Sequence, residues 1–222
     1  MRHFDEIYGL ASLHKGGSIE LEAYLPQALS SAELKAQPDS EYLSLMSRRV
    51  FRAGLKHAMV DAKWPAFEQQ FSGFDPFVCA MQSDEFIESC MVNKAIIRHL
   101  GKIRSIRKNA QFILDCQQEY GSFGTMLSEW PQNDVVGLWL KMKKQGAHLG
   151  GGSGPSFMRM AGADTFLLTN DVLAVLRYEG VISDKAQSQR DMRAAQEAFL
   201  TWQAQSGRPL CEVSRIVSCA AS

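Results

Sequence analysis

Apolar side chains recur every three or four positions along most of this chain, and that spacing predicts helices. Over residues 95–114, Ile96, Leu100, Ile103, Ile106, Ala110 and Ile113 define one apolar stripe, while Lys94, Arg98, Lys102 and Lys108 fall away from it. Gly101 is a candidate break in that run. Segments 50–60, 85–92, 135–142 and 172–178 repeat the pattern, separated by the breaker stretches SGFDP at 72–76, YGS at 120–122 and WPQND at 130–134. Strand candidates are confined to 19–21 and 166–168, too little to organise a sheet. The polar segment 184–203 predicts a helix that buries Phe199 and Trp202. Gly207 suits its left-handed cap, and Pro209 the first turn of a further helix carrying Leu210, Val213 and Ile216. The pattern is all-α, with roughly nine or ten helices on short connections. Met59, Phe67 and Phe74 are expected in the core.

Composition narrows the class. The 222 residues are 45% hydrophobic and 22% charged, with 24 basic side chains against 24 acidic ones, the balance of an ordinary globular protein. No apolar run is long enough to span a membrane, and the first residues lack a signal-peptide pattern, so a soluble, unexported, cytoplasmic chain is expected. Cys79, Cys90, Cys116, Cys211 and Cys219 form an odd set with no metal-site spacing; reduced, buried thiols are expected, with no metal and no cofactor. The zero net charge conceals a basic middle: between Lys94 and Arg159 ten basic residues face four acidic ones. Such a face engages phosphates, or is simply a solvated helix surface.

The stretch LGGGSGPS at 149–156 makes little sense inside a helix, where each glycine costs about 1 kcal/mol relative to alanine. As a turn leading into a helix at about Ser156, it points backbone amides outward, a site for a phosphate in a helix-hairpin-helix. A plain helix-helix turn is the alternative. No strand precedes it and no G-x-x-x-x-G-K-[ST] occurs, which argues against a nucleotide-binding loop. Beyond it, Thr169, Asn170 and Asp171 precede an apolar helix, and any of the three could cap it. Asp171 is therefore either that cap or a carboxylate facing the sugar of a nucleotide whose phosphate the turn grips, an arrangement suited to N-glycosidic cleavage.

Taken in order, RAGL at 52–55, F-D-P-x-x-x-A-M at 74–81, AIIRHLGKIRSIRKNA at 95–110, GSF at 121–123, the glycine stretch, SFM at 156–158 and TNDV at 169–172 resemble the DNA-3-methyladenine glycosylase family of the helix-hairpin-helix superfamily. The resemblance covers residues 50–180. It implies two helical lobes around a cleft: an N-terminal extension at 1–45, the glycosylase core at 46–182, and C-terminal helices at 183–222. It also implies a monomer that binds damaged double-stranded DNA and excises alkylated bases by base flipping. Asp171 falls at the superfamily's catalytic position; Gly151, Gly152, Ser153, Gly154, Ser156 and Lys102 are the implied DNA-backbone contacts. Pro155 stands near where lyase-competent relatives carry a lysine, which implies a monofunctional enzyme.

The departures bear on the base pocket. The family's N-terminal motifs are absent from 1–45, and its paired C-terminal His and Cys are missing, so no zinc clasp is expected. Arg49 stands where the family carries a base-contacting glutamate, and His57 where it carries a pocket tryptophan. His57 either stacks on the everted base or is a partly buried helix histidine; Arg49 either reads the base or is a surface or ion-paired residue beside a helix start. Two other functions stay open: a non-catalytic DNA-binding or lesion-sensing protein, and a helical scaffold that meets no nucleic acid.

Overall fold

A computed structural model describes residues 1–183 and 188–221 of the chain. Among them every regular element is helical. In order these are α1 Phe4–Lys15, α2 Ser18–Glu22, α3 Ser31–Ala36, α4 Asp39–Arg52, α5 His57–Ala62, α6 Trp64–Gln70, a 3-10 turn Ser72–Phe74, α7 Pro76–Ala80 and α8 Asp84–Ser89. There follow α9 Leu100–Tyr120, α10 Phe123–Glu129, α11 Val135–Gln145, α12 Ser153–Met160, α13 Asn170–Tyr178, α14 Gln189–Ser206 and α15 Leu210–Cys219.

That is more helices than the nine or ten expected, because several stripes are cut. The run 50–60 is two helices: α4 stops where the Ala53 amide folds back on the Arg49 and Val50 carbonyls, and Gly54 takes the left-handed conformation at φ +78°. Residues 95–99 lie outside α9. His99 is extended and its ring accepts from the Lys102 amide, so the helix starts at Leu100, one residue before the suspect Gly101. Both strand candidates fail. Residues 19–21 lie in α2, with Leu21 buried and Ile19 79% exposed. Residues 166–168 are irregular, the Leu167 amide donating to Ser214 Oγ at 2.9 Å instead of to a neighbouring strand. Pro209 is the cap of α15 and not a member of its first turn, while Gly207 closes α14 at φ +67° as expected. The start of the 184–203 helix lies outside the described residues.

The described residues form two compact units that cut across the expected blocks 1–45, 46–182 and 183–222. One comprises Met1–Leu29, Pro131–Leu138 and Gly162–Ser222, so both ends of the chain belong to it. Here α15 packs against α1, α13 and α14. Phe166 stacks on Phe199 with ring centroids 4.5 Å apart, and Phe199 meets Trp202 edge-on at 5.6 Å. Buried Gln196 holds the entrance to α11, accepting from the Val136 amide and donating to the Asn133 carbonyl.

The other unit, Ser30–Trp130 with Trp139–Ala161, is built on α9, against which α4, α7 and α10 pack. Its core is aromatic: Phe51, Trp64, Phe67, Phe71 and Phe74 are fully buried in a continuous ring cluster. Met59, expected there, is 44% exposed, because the short α5 turns only Val60 inward. Gly124 is required by close approach, since a Cβ there would lie 2.1 Å from the Leu34 carbonyl oxygen. No helix among the described residues is long and apolar enough to cross a membrane, and no His/Cys/Asp/Glu group there could hold a metal.

All five cysteines are free and buried. Burial pushes the Cys79 and Cys116 thiols up to about 12, which leaves about one thiolate in ten thousand at pH 8. The folded protein is therefore expected to show no prompt reaction with a thiol-specific disulfide reagent at pH 8 and a full five-thiol titre in denaturant; prompt native labelling would contradict the buried set.

Candidate functional site

The glycine stretch forms the turn between α11 and α12, and one side chain from elsewhere holds it. Asn109, fully buried on α9, accepts from the Ala147 amide at 2.7 Å and donates to the Ala147 carbonyl at 3.2 Å. The backbone at Ala147 is thus satisfied on both sides by a single amide side chain. Two glycines make the tight course possible. A Cβ on Gly146 would lie 2.5 Å from a Leu149 methyl and 2.9 Å from the Met142 carbonyl oxygen, and one on Gly154 would lie 2.7 Å from the Leu149 carbonyl oxygen. Gly151 adds a left-handed φ of +57°. Buried Leu149 anchors the turn beneath exposed Gly151 and Gly152.

The helix begins at Ser153, three residues before the expected Ser156, and this changes which amides face outward. The Ser153 amide closes on the Gly150 carbonyl at 3.2 Å and the Ser156 amide on Gly152 at 3.1 Å. Pro155 has no amide hydrogen. Ser153 and Ser156 therefore keep hydroxyls, not amides, for a ligand, while the Gly154 amide falls in the first turn, before the i→i−4 ladder begins. The physical reason is the residue set: Gly152 takes a helical φ/ψ as N-cap, and Pro155 is tolerated early in the helix.

Lys102 does not extend into solvent as a phosphate contact. Its ammonium donates to the Ala53 carbonyl at 2.6 Å and to Phe51 at 3.3 Å, closing the end of α4. Burial, and then the nearby Arg49 guanidinium, hold its pKa below the ordinary lysine value. Arg49 sits in the last turn of α4 and not beside a helix start. Its guanidinium is half-buried, and its Nε is buried with no hydrogen-bond partner among the described residues. Burial and the Arg52 charge lower its pKa. Arg52 itself is neutralised, its two Nη2 contacts reaching both Asp61 carboxylate oxygens at 2.7 Å. Arg49 is thus not the ion-paired residue of the alternative reading: it is a cation among cations. His57, at the first position of α5, is exposed, so the partly buried reading does not hold.

In the unit that holds the chain ends, the capping question over residues 169–171 has an answer. Thr169 is the N-cap of α13, its hydroxyl accepting from the Val172 amide at 3.3 Å. Asp171, one residue into the first turn, is exposed and free of capping; Ser218 Oγ, on α15, lies 3.4 Å from its Oδ2. Ser218 and Asn109 were not among the expected site residues. Asn109 left a signal, a polar residue on the apolar stripe of α9; Ser218, a serine on a helix, left none.

Residues 34–147 match the family model of methyladenine glycosylase, just over half the chain. The match stops short of the glycines and Asp171. A DNA-3-methyladenine glycosylase from Haemophilus influenzae is 33% identical over 75 residues, and the chain spans 40% of the length of that curated relative. Among solved structures, a mutant of 3-methyladenine DNA glycosylase I from Staphylococcus aureus superposes with a TM-score of 0.51 at 23% identity, over 66% of this chain and 86% of that one. A second structure of 3-methyladenine DNA glycosylase I, in complex with 3-methyladenine, gives 0.50 at 23% identity, over 69% and 89%. These likenesses establish the all-helical fold.

Replacing Asn109 with alanine leaves the Ala147 amide and carbonyl without their partner, a loss of about 1–3 kcal/mol. A melting temperature lowered by several degrees is expected, with faster amide exchange at Ala147; unchanged exchange there would mean that the turn holds its shape without the clamp.

Proposed function

The chain belongs to the methyladenine glycosylase family, and on that premise we propose that it is a monofunctional DNA N-glycosylase. It acts as a cytoplasmic monomer on duplex DNA, turns an alkylated, 3-methyladenine-like base out of the stack and hydrolyses its bond to deoxyribose. The observation that carries this reading is the exposed Asp171 carboxylate, which caps no helix because Thr169 takes that role and which meets only the Ser218 hydroxyl among the described residues. Alkylation at a ring nitrogen makes the base cationic. Its glycosidic bond breaks with the electron pair leaving on the base, whose charge that pair neutralises. Positive charge then builds at C1′, where a carboxylate stabilises it. Water adds its oxygen to C1′ and gives its proton to Asp171, completing an abasic sugar and a free base. The amides of exposed Gly151 and Gly152 and the hydroxyls of Ser153 and Ser156 hold a backbone phosphate, whereas Gly154, expected among these contacts, is buried against the Leu149 carbonyl. No cofactor takes part.

One observation favours a second reading, a lesion-sensing DNA-binding protein without chemistry. Arg49, already crowded by Arg52 and Lys102, does not stabilise a cationic base as a carboxylate does. In the glycosylase reading, weakened stacking and pairing of the lesion therefore supply the selection, with exposed His57 offering a ring and a hydrogen bond to the base edge.

Mass analysis of bases freed from DNA treated with a simple methylating agent separates the two. Release of methylated purines is expected from the wild type. Asp171→Asn should lower single-turnover excision by roughly a thousandfold while leaving affinity for a tetrahydrofuran abasic duplex within a few-fold. Binding without release identifies the sensor, and full activity in the mutant removes Asp171 from the chemistry.

A further inference from the structure

We infer that Tyr24, Lys15 and Arg215 form a second phosphate-contact site on the Asp171-bearing unit, one that grips the DNA backbone; the inference rests on the DNA-acting reading above. Tyr24 is 54% exposed and its ring draws two cations: the Lys15 ammonium lies 4.7 Å from the ring centroid and the Arg215 guanidinium 4.9 Å. Two positive groups drawn to one ring repel each other, and an anion between them relieves the repulsion.

No acidic side chain fills that role. Among the described residues neither Lys15 nor Arg215 has an ion-pair partner, and Arg215 Nε is buried without a hydrogen bond. Glu22, two residues from Tyr24, and Glu212, three residues from Arg215, both pair with Arg208, at 2.6 and 2.8 Å, and exposed Glu20 forms no ion pair with Lys15. A ring hydroxyl, an ammonium and a guanidinium with free donors match the oxygens of a phosphodiester.

The position fits the same substrate. Arg215 and Ser218 are three residues apart on α15, hence neighbours on one helix face, and Ser218 is the residue that touches Asp171. All five residues belong to one unit, and all lie outside the family-matched stretch 34–147. The site is formed by residues of one unit, and the glycine turn belongs to the other.

The test is the salt dependence of binding to a tetrahydrofuran abasic duplex. Neutralising both cations with Lys15→Gln and Arg215→Gln should flatten the slope of log affinity against log salt by about 1.8, and Lys15→Gln alone by about 0.9. Affinity at moderate salt should fall on the order of tenfold for the pair. The single Lys15 variant alters only an exposed side chain, so it keeps the test decisive should the Arg215 variant misfold. Slopes equal to wild type in both variants overturn the inference. So does isothermal titration showing inorganic phosphate saturating the wild type, but not the Lys15 variant, with the DNA slope unchanged, which assigns the site to a free anion. Failure of the wild type to bind DNA at all overturns the parent reading instead, and base release, measured separately, reports on that reading alone.

Discussion

The pair of hydrogen bonds between Asn109 and the backbone of Ala147 is the constraint on which the glycine turn depends. A chain passing from α11 to α12 through residues 146–152 has many conformations open to it, since three of those seven residues from Gly150 to Gly152 are glycine and Gly146 is a fourth. Asn109 selects one of them from the middle of the longest helix in its unit, where it is shielded from water and has no competing partner. Leu149, buried under the turn, supplies the apolar half of the same anchor. Gly151 and Gly152 are left as the two exposed glycines of the turn.

Positive charge in the same unit is organised differently from a simple basic patch. Lys102, Arg52 and Arg107 are tied to carbonyls or carboxylates, at Ala53, Asp61 and Asp84 respectively. Their work is to close helix ends and hold helices together. Arg49 differs from these three, with a buried nitrogen unsatisfied and like charges beside it. In a protein with zero net charge, such a residue concentrates the field where a ligand with hydrogen-bond acceptors can relieve it.

The unit containing the chain ends has its own logic. Helix α15 touches α1, α13 and α14, so residues from the first thirty and the last forty positions share one core around Phe166, Phe199 and Trp202. Asp164 fixes the start of α15, accepting from the Leu210 and Cys211 amides at 3.0 and 2.7 Å. That fixed start sets the positions of Arg215 and Ser218 further along the same helix, and with them the surroundings of Asp171.

The residue pattern alone was enough for the helical class, the stripe on α9, the left-handed cap at Gly207 and the family resemblance, because each rests on local spacing or on residue types with narrow conformational choices. It also marked the glycines as a turn and narrowed the cap of α13 to three residues. Packing between distant segments chose among them. Thr169 won the cap because its hydroxyl reaches the Val172 amide, and Lys102 turned from a phosphate contact into the closure of α4 because the carbonyls left open at Phe51 and Ala53 lie within its reach. Whether a polar side chain meets solvent or an unsatisfied backbone group from another helix depends on distances between segments remote in the chain, and periodicity along one helix carries no information about those.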